Sequence, residues 1–156
     1  MQPPAYRDVP PQGVPVFALE GGVQVRVIAG AAHGVTGAVT RPTTEPLVLY
    51  IVLPAGASLD VPLPAGHNAF AYVYGGVAAQ VGGAAVASEH MAILTNDATA
   101  DGVRFTAPAG ERAAQILLVA GAPLREPIAQ YGPFVMNTVQ ELHQAVADFQ
   151  SGALAT

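Results

Sequence analysis

Four histidines are the residues of this sequence best suited to bind a metal ion or to move a proton. They are His33, His67, His90 and His143. Ligands two residues apart share one face of a strand, and ligands three or four apart share one face of a helix. No two of these histidines have either spacing, so the sequence favours four independent surface or hydrogen-bonded side chains. One alternative stays open, a metal site that folding would assemble from His67 with His90 or Glu89.

Covalent chemistry has few candidate residues. The chain has no cysteine, which excludes thiolate catalysis, disulfides and iron–sulfur clusters. Its three serines are Ser58, Ser88 and Ser151, and none lies in the Gly-x-Ser-x-Gly turn that exposes a nucleophile. Ser88, Glu89 and His90 are consecutive, but neighbouring side chains diverge in an extended segment, so they do not form a triad. The sequence therefore predicts no catalytic residue.

Composition narrows the classes of partner. The 156 residues suit one domain, and the net charge is −5. There is no lysine, and the six arginines lie far apart, whereas nucleic-acid binding needs clustered positive charge. No apolar run approaches the ~20 residues that span a bilayer, and the first residues do not form a secretory signal. We expect no binding to nucleic acid or membrane, and a cytoplasmic location.

Short apolar runs, each ended by glycine, proline or an Asn/Asp residue, dominate the chain after residue 15. They predict strands, because many short runs at nearly even spacing are typical of a β-sandwich or closed barrel. The pairs Gly21–Gly22 and Gly82–Gly83 stand where tight hairpins need a positive φ. The predicted strands are Val16–Leu19, Val23–Ile28, Leu47–Val52, Ser58–Val61, Ala69–Tyr74, Val77–Val81, Met91–Leu94, Val103–Thr106 and Ala113–Val119.

The two ends of the chain have different patterns. Residues 1–15 contain five prolines, which lack the N–H that a ladder needs, so they predict an extended arm. Near the other end, Thr138 followed by Glu141 predicts a capping box, and Gly152 predicts a helix stop. An apolar stripe at helical spacing lies between these signals and consists of Val139, Leu142, Val146 and Phe149.

Four segments carry a specific resemblance. They are Val25–Gly30, Leu63–Val73, Gly121–Ile128 and Tyr131–Thr138, and the last two, which lead straight into the predicted helix, are the most distinctive. Together they resemble the C-terminal domain of the pirin family, over essentially the whole chain.

The resemblance implies an all-β fold of the cupin type, a double-stranded β-helix or jelly-roll barrel. It places an arm similar to the pirin interdomain linker at residues 1–15 and the barrel at residues 16–137. The helix of the same domain would occupy residues 138–152. The fold class expected is therefore a jelly-roll barrel with a proline-rich arm and one C-terminal helix.

Pirins have two cupin barrels, and the resemblance implies that the N-terminal barrel, which binds non-haem iron through three histidines and one glutamate, is absent here. Some pirins are quercetin 2,3-dioxygenases, and others are described as transcriptional co-regulators. Catalytic cupins carry a His-x-His pair before a strand, and counting back from the strand that ends at Gly75–Gly76 puts Pro62 and Pro64 at those positions. Proline offers no ligand atom, so we expect no metal and no cofactor, with iron as the alternative.

Three hypotheses on function follow. The first is a metal-free structural or interaction module that packs on a pirin N-terminal-type domain or on a second copy as a homodimer. The second is a metal-dependent dioxygenase of the quercetinase type, or a fragment of one. The third is a protein-binding transcriptional co-regulator. As an isolated chain we expect it not to be an enzyme.

Two sets of residues accompany these hypotheses. His67, Asn68 and Tyr72 begin or belong to the strand that lines a cupin cavity, so they are the pocket candidates, although capping and core roles are favoured for Asn68 and Tyr72. The candidates for an interface between domains or subunits lie near the end of the chain and are Tyr131, Phe134, Val135, Val139, Leu142, Val146 and Phe149.

Overall fold

The computed structural model describes residues 6–97 and 99–155. In that part of the chain there are fourteen strands and one α-helix, α1, at Val139–Ser151. The first seven strands are β1 (Val16–Ala18), β2 (Gln24–Ala29), β3 (Ala31–Ala32), β4 (Val35–Thr36), β5 (Leu47–Leu53), β6 (Ser58–Pro62) and β7 (Asn68–Gly76). The others are β8 (Ala79–Val81), β9 (Ala84–Val86), β10 (His90–Ile93), β11 (Gly102–Thr106), β12 (Ala114–Gly121), β13 (Ala129–Tyr131) and β14 (Phe134–Met136).

Two antiparallel sheets form the barrel. The larger has six strands in the order β1-β2-β5-β12-β7-β10, and the smaller has four in the order β6-β11-β8-β9. Strands distant in sequence are neighbours in both sheets, as in a jelly roll. Each strand predicted from the apolar runs overlaps an observed strand, and the all-β cupin-type fold is confirmed.

Alternating side chains build the core. In β5, Leu49, Ile51 and Leu53 are fully buried, and the residues between them face the other side of the sheet. Phe105 of β11 is the largest of the fully buried side chains and comes from the opposite sheet. Burial of such a side chain stabilises the fold by roughly 1.5–3 kcal/mol, which is why this period-two pattern determines the sheet faces.

The chain divides into two compact units after Pro123. In the second unit β13 and β14 form a hairpin, and α1 contacts both strands. The predicted helix is confirmed with its capping box, because Glu141 N donates to Thr138 Oγ1 at 3.2 Å and Glu141 Oε2 accepts from Thr138 N at 2.8 Å. Gly152 ends it in the left-handed conformation at φ 78°.

The predicted arm is described from residue 6 onward, and residues 1–5 lie outside the described part of the chain. It is not extended throughout, because Pro11–Gly13 form one 3-10 turn, whose first position suits the fixed φ of proline. Two hydrogen bonds tie the arm to the barrel. Val27 N donates to Pro15 O at 2.9 Å, and Arg7 Nη1 donates to Ala38 O at 3.3 Å. No helix among the described residues is long and apolar enough to cross a bilayer.

Candidate functional site

A cavity of about 630 Å³ opens between the loop that precedes β5 and the segment that joins β6 to β7. Its wall is mostly apolar, with Leu63 and several prolines contributing. The ionisable side chains on the wall are Arg41, Glu45 and His67. This combination of an apolar wall and a few polar groups is typical of a small-molecule site.

The contact between His67 and Glu45 joins the two sides of the cavity. Nε2 of His67 lies 3.3 Å from Oε2 of Glu45. The histidine side chain is only 8% exposed, whereas that of Glu45 is 62% exposed. A buried imidazole therefore contacts a carboxylate that lies at the protein surface. Two loops converge at this contact, which no strand or helix pairing would create by itself.

The backbone fixes both partners. His67 N donates to Pro64 O at 3.2 Å, in the turn that leads into β7. On the other side, Glu45 has a positive φ of 42°, and its N–H donates to Arg41 O at 2.9 Å. The neighbouring Thr44 carbonyl accepts from Ala122 N at 2.8 Å, which ties this loop to the end of β12. The contact is therefore held by ordered turns.

The second ring nitrogen of His67 is unusual. Nδ1 is buried and has no hydrogen-bond partner among the described residues. An unsatisfied buried polar group costs about 1–3 kcal/mol, so such atoms are rare in native proteins and often belong to functional sites. The atom is enclosed by the protein, so a molecule in the cavity does not reach it without a change in the surrounding side chains.

The prolines that the sequence placed at the His-x-His positions lie on this cavity. Both Pro62 and Pro64 line its wall. Along β6, Val61 is buried and its neighbours are exposed. If the His-x-His pair is aligned one residue earlier, its positions correspond to Val61 and Leu63. In either register the paired positions have side chains without a ligand atom, so the conclusion does not depend on the alignment of the strand.

An iron centre of the cupin kind does not fit the residues present. Non-haem iron of this class needs at least three protein ligands from histidine and carboxylate side chains. The cavity offers His67 and Glu45 alone, and among the described residues no group of three or more His, Asp or Glu side chains could hold a metal ion.

The structure does not bring His67 together with His90 or Glu89. His90 pairs with Val73 across β10 and β7, six residues along β7 from His67, which corresponds to roughly 20 Å of strand. Glu89 lies in the turn before β10 at φ 64°, with its N–H donating to Val73 O at 2.6 Å. His90 Nδ1 lies 2.9 Å from Ser88 O. His67 is therefore too far from His90 and Glu89 to share a metal ion with them. The acidic residue that contacts His67 is Glu45.

Asn68 and Tyr72 do not line this cavity. Tyr72 lies between the buried residues Ala71 and Val73, so the pleat places its side chain on the outer face of the six-stranded sheet. Asn68 is exposed, and its Oδ1 accepts from Asn96 Nδ2 at 3.4 Å. Only His67 of the three pocket candidates belongs to the cavity, and sequence reasoning missed Glu45 and Arg41, which no spacing signal marked.

The outer face of the six-stranded sheet exposes apolar side chains. Tyr74 is 48% exposed, Met91 54% and Ile93 77%. Tyr50 donates its hydroxyl to Gln115 Oε1 at 3.1 Å on the same face. The pKa of Tyr50 is raised, first by burial and then by the neighbouring Tyr74 hydroxyl. Such a patch commonly marks an interaction surface.

The interface candidates of the second unit divide into three sets by their exposure. Leu142 is buried within the chain, so it is corrected from an interface residue to a core residue, because it shares the inner face of α1 with Ala145. Phe134 and Val146 are half-buried. The exposed candidates are Tyr131 (71%), Val135 (57%), Val139 (61%) and Phe149 (65%).

Comparison with known proteins matches this chain to one family. The model of the pirin C-terminal cupin domain matches residues 48–155. A Pseudomonas aeruginosa protein named "Putative quercetin 2,3-dioxygenase" is 41% identical over 99% of this chain and 54% of its own length. Pirin from Homo sapiens is 35% identical over 97% of this chain and 51% of its own length.

A solved structure agrees with these matches. Quercetin 2,3-dioxygenase from Acinetobacter baumannii superposes with a TM-score of 0.83 at 33% identity, over 100% of this chain and 52% of that one. The chain therefore spans about half the length of the relatives it matches.

Proposed function

This chain belongs to the pirin family as a C-terminal cupin domain, and from that premise we propose that it is a metal-free module that packs against a second cupin barrel. The observation that supports the proposal is the cavity wall, where Pro62 and Pro64 lie at the positions that the family resemblance gives to the His-x-His pair. The chain spans about half the length of these relatives, so the activities in their names are not carried over to it. We infer that the second barrel is either a pirin N-terminal-type domain or another copy of this chain.

The first test is metal content. We expect untagged protein, incubated with Fe(II) or Ni(II) and then desalted, to retain less than about a tenth of an equivalent, because two protein ligands bind such ions weakly. Inductively coupled plasma mass spectrometry measures this directly. Near one equivalent of metal, lost in His67→Phe but kept in the matched variant His90→Phe, would contradict the proposal and favour the dioxygenase alternative.

Exposed apolar surface supports the packing part of the proposal. The second unit presents Tyr131, Val139 and Phe149, each more than half exposed, and the barrel separately presents Met91 and Ile93. Aromatic residues are enriched at protein interfaces and depleted at solvated surfaces. Homodimerisation is the form of packing that can be tested with this chain alone.

The second test is the oligomeric state. We expect a dimer at micromolar concentration in sedimentation velocity, and we expect Phe149→Glu to weaken it roughly 30-fold, as loss of a central aromatic residue does at about 2 kcal/mol. Gln150→Glu is the matched control, because it adds the same charge at the next exposed position of α1. A monomeric wild type, or equal weakening by both variants, would be evidence against this interface.

A further inference from the structure

We propose that two copies of this chain pack face to face through the outer side of the six-stranded sheet, about a two-fold axis that runs along the strands between β5 and β12. The inference rests on the proposed packing function and goes further, because it names the surface, the partner and their orientation. Three features of the sheet support it, namely the registers of its strands, the charge on its outer side and the area that it presents.

One row of outward side chains crosses the whole sheet. Directly paired residues lie on the same side of a sheet, and the observed registers join six of them. In strand order the row is Val16, Arg26, Tyr50, Leu117, Tyr72 and Met91. The neighbours of Tyr50 in β5, Leu49 and Ile51, are fully buried, so the row lies on the side away from the core. It therefore follows the outer side from one edge strand to the other.

The outer side has the composition of an interface. Val16 and Met91, at the two ends of the row, are 48% and 54% exposed, and Ile93 on the edge strand β10 is 77% exposed. Among the described residues of these six strands, the one charged side chain on this side is Arg26. Interfaces are enriched in tyrosine, methionine and arginine and depleted in lysine, aspartate and glutamate. This pattern favours burial against a partner over exposure to solvent.

The position of the charge selects the orientation of the second copy. Sheets that pack face to face keep their strands nearly aligned. An axis along the strands sets β2 opposite β7 of the second copy, so that Arg26 faces the ring of Tyr72, which is a favourable cation–π contact. The inner pair of the row, Tyr50 and Leu117, then face each other. An axis across the strands through this row would instead set Arg26 against the same residue of the second copy, and like charges repel.

The sheet is large enough for a stable dimer. Its strands have three to nine residues, the shortest being β1 and the longest β7. At about 4.8 Å between strands and 3.4 Å along them, the six strands present an outer side of roughly 600 Å². Two copies would bury about 1,200 Å², which is at the lower end of the range for specific complexes. A second copy fits this surface because the two halves of the row complement each other, as a two-fold interface requires.

Crosslinking between single cysteines tests the orientation. The chain has no cysteine, so a thiol introduced at one position reacts without background. Val16→Cys and Met91→Cys place it at exposed positions on the two edge strands, β1 and β10. Packed sheets lie about 10 Å apart, which is too far for a disulfide, so a short bis-maleimide is the reagent.

The proposed axis sets Val16 of one copy opposite Met91 of the other. An equimolar mixture of the two variants is therefore expected to give severalfold more crosslinked dimer than either variant alone, as measured by denaturing gel electrophoresis. Within the dimer of one variant the two thiols lie at opposite edges, roughly 24 Å apart across the sheet. Gln80→Cys, exposed on β8 of the smaller sheet, is mixed with Met91→Cys as the matched control for random collision.

Arg26→Ala tests the charged contact. In sedimentation velocity we expect the variant to dimerise about tenfold more weakly than the wild type, because the two-fold axis makes the contact with the Tyr72 ring twice. Arg104→Ala is the matched control, because it makes the same truncation at an exposed position of β11 in the smaller sheet. It is expected to leave the dissociation constant unchanged, and equal weakening by both variants would overturn the contact and the orientation that it selects.

The results distinguish this inference from the proposed function. Wild-type protein that is monomeric at about 100 μM would overturn the inference and leave a pirin N-terminal-type domain as the partner in the proposed function. A dimer whose mixed variants crosslink no more than the Gln80→Cys control would overturn the sheet surface alone. A dimer in which either variant crosslinks as well as the mixture would overturn the axis. In the last two cases the packing function stands, and another surface or orientation provides it.

Discussion

Replacement of Phe105 by alanine is expected to lower the free energy of unfolding by about 3–5 kcal/mol. Phe105 is the largest fully buried side chain of the barrel and extends from β11 into the core between the two sheets. Its removal loses the apolar area that the ring buries and leaves a cavity, because strands hydrogen-bonded on both sides cannot close the gap. β11 pairs with β6 and also with β8, which holds it in this way.

Urea unfolding followed by circular dichroism measures this loss. Tyr6→Ala is the matched control, because it also truncates an aromatic ring but at a position 93% exposed. That change is expected to alter the free energy of unfolding by less than about 0.5 kcal/mol. A loss of about 1 kcal/mol or less for Phe105→Ala would mean that the two sheets do not share the tightly packed core described here.

The core was predictable from sequence because its strands follow the two-residue alternation of buried and outward-facing side chains. Leu47–Val52 alternates between side chains that are buried and side chains that face outward, and the observed strand differs from the prediction by one residue. The helix was predictable for a similar reason, since its signals at Thr138, Glu141 and Gly152 are local. Where a pattern within a few residues decides the structure, sequence reasoning succeeds.

The β13–β14 hairpin shows where such reasoning stops. Each strand has three residues, which are too few to show alternation. Pro133, in the turn between them, is a residue type that usually ends a strand. The two-residue β3 and β4 were missed for the same reason. These short strands form because each pairs with a partner strand. A short stretch of sequence does not contain the information about that partner.

The candidate site was only half predictable. His67 was noticed as a histidine near the expected ligand positions, but its partner Glu45 stands 22 residues earlier in a proline-flanked loop. Their contact depends on where the loop before β5 is tied to β12, through the Thr44 carbonyl and the N–H of Ala122. A pairing made by two loops is a product of tertiary structure, which is why the sequence favoured independent histidines.

Gly30→Ala is expected to destabilise the protein by about 3 kcal/mol and to disturb this same contact. Gly30 has a φ of +79°, which disfavours a side chain, and an added Cβ would meet the carbonyl oxygen of Pro46. It would also lie 3.1 Å from Leu47 Cα, so backbone must shift on the side of the cavity where Glu45 is held. Urea unfolding followed by circular dichroism measures the loss, and the His67–Glu45 contact is expected to weaken because the loop that holds Glu45 must move.

Gly34→Ala separates the two causes of the expected destabilisation, which are the positive φ and the steric clash of the added Cβ. Gly34 has nearly the same φ, +80°, but an added Cβ there meets nothing within 4 Å. Its variant therefore carries the conformational cost alone, about 1–2 kcal/mol, and is expected to leave the loop that holds Glu45 in place. Equal destabilisation by the two variants would show that the loop before β5 moves away from the added Cβ of Gly30→Ala without a further loss of stability. The Glu45–His67 contact would then rest on a loop that moves easily.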